Sequence, residues 1–295
     1  MMFDSVMKGL LPLASALMVG ACMGDAEELV DPVAAPFSVS AAHGGPGTAV
    51  SVDPGGAHGV NTAAVEGCPI ESPNGQRLFF ASDRAGGEGG IDIWVAHRDP
   101  ERGAWIEPEN LPAPVNSAFN DFCPTPLPGG VLLFVSSRPG GCGEGTTDIY
   151  RTRHDPAMGW LEPEHLGCEV NSAGNEFSPS YVGAGGGTLF FSSDRNGGPH
   201  EVFASARRPN GGWGTPVAVT ELNAPGYSTA RPNVSPSGLE IVFDSDRPGG
   251  LGGNDIWTST RASVFAPWSD PMNAGAGVNS AASESRPTLS RDGRR

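Results

Sequence analysis

Four glycine-rich stretches are the first places where this chain could do chemistry. They read SDRAGGEGGIDIW (82–94), SSRPGGCGEGTTDIY (136–150), SDRNGGPHEVF (193–203) and SDRPGGLGGNDIW (245–257). Loops of this kind can cradle phosphate, hold calcium or turn a chain. A dinucleotide site needs G-x-G-x-x-G running into a helix. Counted from Gly87 and Gly89, the third glycine position is Asp92, and the strand-like DIW follows it. No Walker pattern occurs either, so neither phosphate motif is met. GGEGGID carries one residue too many for the calcium-binding G-G-x-G-x-D pattern, which also stacks in tandem every nine residues or so, whereas these loops lie far apart. A single oxygen-rich loop, Glu88 with Asp92, remains as the weakest form of that idea.

A structural reading uses every copy. Ser-Asp-Arg ends one strand and Asp-Ile-Trp starts the next, so the glycines make a hairpin where positive φ is needed. Arg84 then faces Asp92, and Arg247 faces Asp255, as ion pairs across the hairpin mouths. Other reactive types fall short of an assembled catalytic set. G-x-S-x-G is absent, and the histidines are scattered, with His97 and His154 in matching turns. Glu66, Asp121, Glu176 and Glu284 recur at equivalent places. They could ring a channel as acids, but capping nearby backbone or pairing with a cation is the simpler use.

The elements that would position these residues repeat along the chain. The four arginines, Arg84, Arg138, Arg195 and Arg247, stand 54, 57 and 52 residues apart. Before each lies an apolar run (RLFFAS, VLLFVS, TLFFSS, EIVFDS), and after each comes one tryptophan: Trp105, Trp160, Trp213 and Trp268. Each unit then runs into VNS or LNA, starting at Val115, Val170, Leu222 and Val278. The units are 60–114, 115–169, 170–221 and 222–277, with a partial fifth at 278–295. Turn signals divide each period into four short strands, the unit of an all-β propeller blade. The tryptophans read as packing between blades.

P-x-x-S-P-x-G-x-x-L-x-F-x-S-D-R followed by D-I-W resembles the WD40-like repeat of TolB-type propellers (the PD-repeat family), in the glycine-rich version found in bacterial envelope lipoproteins. The resemblance covers 60–295 and implies a propeller of five or six blades, with no particular reaction. Two alternating stretches, 37–40 and 49–52, are candidates to complete a blade with Pro287-Thr288-Leu289.

The N-terminus adds a compartment. Lys8 precedes an apolar run from Gly9 to Val19, too short to span a bilayer but suited to a secretory signal over residues 1–21. Val19-Gly20-Ala21-Cys22 resembles a lipobox, with Cys22 as the lipidated residue and Met23 fitting outer-membrane sorting. Residues 22–59, rich in Ala, Gly, Pro and Ser, read as a tether. Export makes the even count of remaining cysteines, Cys68, Cys123, Cys142 and Cys168, two disulfide candidates. In an up-and-down blade all four fall toward one face. Cys68–Cys123 with Cys142–Cys168 is the first pairing, and Cys123–Cys142 stays open. No C-x-x-C spacing and no histidine in register with the cysteines supports a metal.

With 43 glycines, 28 prolines and 17% charged residues, the chain is not α-rich. A formal charge of −15 opposes broad nucleic-acid binding. The expectation is a lipid-anchored, outer-membrane, non-catalytic binding or scaffolding propeller that needs no cofactor. Its partner would be another envelope protein or peptidoglycan. The alternatives are a hydrolase using channel carboxylates, or a fragment of a longer propeller or OmpA-type protein.

Overall fold

The structure, a computed structural model, describes residues 41–42, 45–46, 53 and 59–289. Cys22 and the stretches 37–40 and 49–52 lie outside the described residues. Two short strands, β1 (Ala41–Ala42) and β2 (Gly45–Pro46), pair with each other. The remaining strands form four antiparallel sheets in sequence order. Blade one is β3 (Glu66–Glu71), β4 (Arg77–Ser82), β5 (Asp92–Arg98) and β6 (Trp105–Asn110). Blade two is β7 (Asp121–Leu127), β8 (Val131–Ser136) and β9 (Asp148–Asp155), with an outer strand split into β10 (Gly159–Trp160) and β11 (Glu164–His165). Blade three is β12 (Glu176–Val182), β13 (Thr188–Ser193), β14 (Glu201–Ala206) and β15 (Val217–Ala218). Blade four is β16 (Thr229–Val234), β17 (Glu240–Ser245), β18 (Asp255–Thr260) and β19 (Met272–Asn273).

Sandwiched sheets explain why the second strand of each blade is apolar throughout rather than alternating. β4 buries both its faces: Phe79 looks toward blade two, where it packs with Ile93, Val95, Leu132, Phe134 and Tyr150. Leu78 and Phe80 form a separate cluster with Val60, Trp94 and Trp105 on the other side. Blades two and three meet through Leu133, Val135 and Ile149 against Leu189, Phe191 and Phe203. Blades three and four repeat this with Phe190 and Val202 against Ile241, Phe243 and Trp257.

A side-chain clamp ties each blade to the next unit. The asparagine of VNS uses its amide as a strand would use its backbone. Asn116 Oδ1 accepts from Ile93 N at 2.9 Å and its Nδ2 donates to Ile93 O at 2.9 Å. Asn171 does the same to Ile149, Asn223 to Val202 and Asn279 to Ile256.

Each innermost strand carries a bulge where its register slips, between Gly67 and Ile70, Phe122 and Thr125, Phe177 and Ser180, and Ala230 and Asn233. The proline inside each gap cannot donate to the ladder, so an interruption belongs there.

The resemblance implies five or six blades, and the described residues form four. The fifth unit contributes an extended segment that lies along blade four: Arg286 N donates to Asp244 Oδ2 at 2.9 Å, and Leu289 N donates to Asn233 Oδ1 at 2.8 Å. Among the described residues no helix is long and apolar enough to cross a membrane.

Candidate functional site

The repeated arginine sits where three parts of a blade meet. Arg138 Nε donates to Ser136 Oγ at 2.9 Å, and Nη2 donates to Val115 O and to Asp121 Oδ1, both at 2.7 Å. Its guanidinium covers the rings of Phe134 and Tyr150, 5.3 and 5.1 Å away. Arg84 repeats the set with Ser82, Val60 O and Glu66, over Phe80 and Trp94. Arg195 does so with Ser193, Val170 O and Glu176, over Phe191 and Phe203. In blade four Thr229 replaces the acid, and Arg247 Nη2 donates to its hydroxyl at 2.9 Å.

The ion pairs expected across the hairpins are therefore not the ones formed. Arg84 reaches back to Glu66 instead of across to Asp92, and Arg247 takes Thr229 and Leu222 O instead of Asp255. Asp92 and Asp255 cap their loops: Asp92 Oδ2 accepts from Glu88 N at 2.7 Å, and Asp255 Oδ2 from Leu251 N at 2.6 Å. The reason is geometric. Asp92 is directly opposite Ser82 in the ladder, while the arginine two residues on turns back over the aromatic pair toward the start of the innermost strand. Burial pushes the Asp92 carboxyl up, with the backbone bonds from Gly89 and Glu88 pulling the other way.

The recurring acids are held from both sides. Ser117 donates its N–H and its hydroxyl to Asp121 Oδ2 at 2.7 and 2.6 Å. Ser172 treats Glu176 likewise, Ser280 treats Glu284, and Thr62 treats Glu66. Burial raises the Glu176 carboxyl, against its hydrogen bonds and the Arg195 charge. Burial also lowers Arg247 to about 10.

The loop glycines serve close approach. A Cβ on Gly252 would sit 1.9 Å from the carbonyl oxygen of Ala282, and one on Gly89 would sit 2.1 Å from that of Phe119. The glycine loops of units one and four thus lie directly on the VNS-side loop of the following unit, which is a backbone use of glycine and not a ligand use.

Both first-choice disulfides are formed, Cys68–Cys123 with Cα atoms 5.0 Å apart and Cys142–Cys168 with Cα atoms 5.6 Å apart. The alternative Cys123–Cys142 is not formed. One point in this region was not legible in the sequence: His165 lies beside Cys142, its Nε2 3.8 Å from Sγ and 3.5 Å from Asp148 Oδ1. These three could in principle hold a metal. As built, the sulfur is spent in a disulfide, and Gly167 N and Asn171 Nδ2 lie 3.1 and 2.9 Å from the two ring nitrogens, where a metal would need a free one.

The innermost strands enclose the axis. A small space there, open to solvent, is lined by Cys68, Cys123, Ser178, Arg231 and Arg286 and by residues just after them. Equivalent positions of all five units face this one space. The chain is a β-propeller protein.

No family and no curated protein matches the chain. Solved structures do. TolB from Acinetobacter baumannii is 18% identical, over 71% of this chain and 44% of its own, with a TM-score of 0.46. The endo-arabinase from Bacteroides thetaiotaomicron is 14% identical, over 70% of this chain and 80% of its own, with a TM-score of 0.46. The α-L-arabinofuranosidase from Lactobacillus brevis is 14% identical, over 73% and 74%, with a TM-score of 0.46. The match spans less than half the length of that TolB.

Proposed function

We propose that this β-propeller is a non-catalytic binding or scaffolding module of the cell envelope, anchored by lipid at Cys22, whose partner is another envelope protein or peptidoglycan. One observation carries the reading. The carboxylates a glycosidase would need are committed elsewhere: Glu66, Asp121 and Glu176 each accept from an arginine and from a serine or threonine. A general acid and its partner carboxylate must instead flank a bond with room for substrate or water.

The contact surface in this reading is the loop-bearing face, where Phe119 and Leu251 are 45% and 50% exposed on the VNS-side loop and a glycine loop. Large apolar side chains in contacting loops suit a protein partner. The test is affinity capture of the full lipidated protein from its own envelope, beside Phe119→Asp and Leu251→Asp variants. The expected result is enrichment of one envelope component that both variants lose, together with membrane release of Cys22→Ser. Turnover of a glycan that Asp121→Asn or Glu176→Gln abolishes in a folded protein would overturn the reading.

A further inference from the structure

The two ends of the propeller differ in charge. Antiparallel strands put the glycine loops and VNS turns at one end, and the turns joining first to second and third to fourth strands at the other. At the loop-bearing end the repeated arginines are turned inward, while Asp83, Glu88, Glu144 and Asp246 are exposed. At the opposite end Arg77, Arg153 and Arg207 are exposed and enter no salt bridge among the described residues. Arg207 covers the Trp213 ring, and Arg153 lies close enough to Asp155 to lower its carboxyl. The acids of this end are largely engaged. Glu71 takes Arg98 at 2.8 Å, Asp99 takes Arg102 at 3.2 Å, and Asp155 Oδ1 accepts from the N–H groups of Ala157 and Met158. Glu101 is exposed there too, and Glu240 is half-buried at the start of β17. The net charge of −15 is therefore unevenly placed, with its exposed acids gathered on the loop-bearing end.

The same opposite end carries exposed apolar side chains at the tips of its turns. Phe265 is 83% exposed in the turn after β18, and Met158 is 71% exposed in the turn after β9. Leu239 adds a third, in the turn before β17. The Phe265 turn is held rigidly. Val264 seats between blades three and four, where a Cβ on Gly185 would stand 2.9 Å from it and one on Gly238 3.0 Å. Arg261 donates from Nε to Gly238 O at 2.6 Å and stacks on the buried Trp268 at 4.2 Å. The turn is thus fixed at both ends, and the fixation leaves Phe265 pointing out of the protein.

We propose that this end of the propeller rests on an anionic lipid bilayer, with Phe265 and Met158 entering the interface and Arg77, Arg153 and Arg207 facing lipid phosphates. Apolar side chains that bury at the headgroup boundary, beside cations drawn to anionic lipid, are the elements of interfacial binding. The arrangement favours lipid over a protein. A protein interface buries one contiguous apolar centre, whereas these tips stand on blades two and four with cations elsewhere on the same end, a spacing that a fluid surface can meet. The acidic loop-bearing end would be repelled by the same bilayer and so faces away from it. This inference goes beyond the envelope-scaffold reading and does not rest on lipidation of Cys22.

The test is photocrosslinking of the full-length protein to vesicles of equal parts phosphatidylglycerol and phosphatidylcholine, the phosphatidylglycerol carrying a diazirine, with crosslinks mapped by peptide. Crosslinks at 261–267 and 156–158 should exceed those in the loops holding Tyr227 and Leu251 by at least about fivefold, the factor one arginine near an anionic surface is worth. The excess should fall to near nothing when the carrier is phosphatidylcholine alone, and in Arg77→Gln with Arg207→Gln. Phe265→Asp changes an exposed side chain and leaves folding intact, and it should cut crosslinking at Met158 severalfold. Absent crosslinks, equal crosslinking of the two ends, preference for the loop-bearing end, or an equal excess on neutral vesicles overturns the proposal. A protein captured through Phe265 with no lipid crosslink there overturns it as well. The comparison reads which end meets lipid, whereas membrane release of Cys22→Ser reads the anchor, so the two can fail separately.

Discussion

Arg138 and Asp121 are joined at 2.7 Å beneath the loop-bearing face of blade two, with Asp121 fully buried and Arg138 nearly so. The same guanidinium holds the Val115 carbonyl and covers two rings, so one side chain locks the VNS turn, the start of β7 and the end of β8 together. Removing the cation alone leaves a buried acid uncompensated. Arg138→Met should cost about 3–5 kcal/mol in urea unfolding. A loss under about 1 kcal/mol would place the pair among ordinary surface bridges and refute the locking role.

Arg247 makes the same contacts without a carboxylate, since Thr229 stands in for it. Arg247→Met should therefore cost about 1–2 kcal/mol, clearly less than Arg138→Met, because only hydroxyl and carbonyl acceptors are orphaned. Comparing the two midpoints under identical conditions checks this ordering.

The amide clamp predicts a third loss. Asn116→Ala leaves the buried N–H and carbonyl of Ile93 without their side-chain partner, a cost of about 2–3 kcal/mol. Asn116→Asp should also destabilise, because a carboxylate accepts from Ile93 N but cannot donate to Ile93 O. Amide exchange at Ile93 should accelerate in both variants.

The disulfides close loops of 55 and 26 residues. Loop-closure arithmetic assigns them about 4 and about 3.5 kcal/mol. Replacing each pair by serine should lower stability by amounts of that order. Non-reducing peptide mapping should recover Cys68 with Cys123 and Cys142 with Cys168.

Asp244 sets a pH dependence. Burial raises its carboxyl above the usual 3.8, outweighing the opposing charges of Arg231 and Arg286. The folded state then holds a proton that the unfolded state has released, so stability from this group is present below 3.8 and is lost as pH rises through the raised folded value. Relative to Asp244→Asn, the wild type should lose stability in urea unfolding as pH rises above 3.8. An identical pH profile in the two proteins would show that Asp244 does not titrate in this way.

Much of this was legible in the chain itself. The blades follow from turn chemistry and apolar runs, which act over a few residues and repeat at a fixed period. The shared face of the four cysteines gave the observed pairing as first choice and left Cys123–Cys142 open, and the stacked blades decided between them. The arginine partners were not legible, because sequence proximity brought Arg84 to Asp92 while the fold offers Glu66, a partner that approaches only when β3 pairs with β4. His165 beside Cys142 escaped for a similar reason, since the outer strand of blade two is split and returns β11 along β9.

The sequence by itself determined the strands, their order and the glycines and prolines that turn them, because these depend on local conformational preference and on period. Only the tertiary structure decided where charge goes. Arg84, Arg138 and Arg195 turned inward onto acids some seventeen to nineteen residues earlier, and Arg231 and Arg286 came to share one axial space. Such partners are chosen by burial and by distances across strands and blades, and a linear chain does not contain those distances until its sheets have stacked.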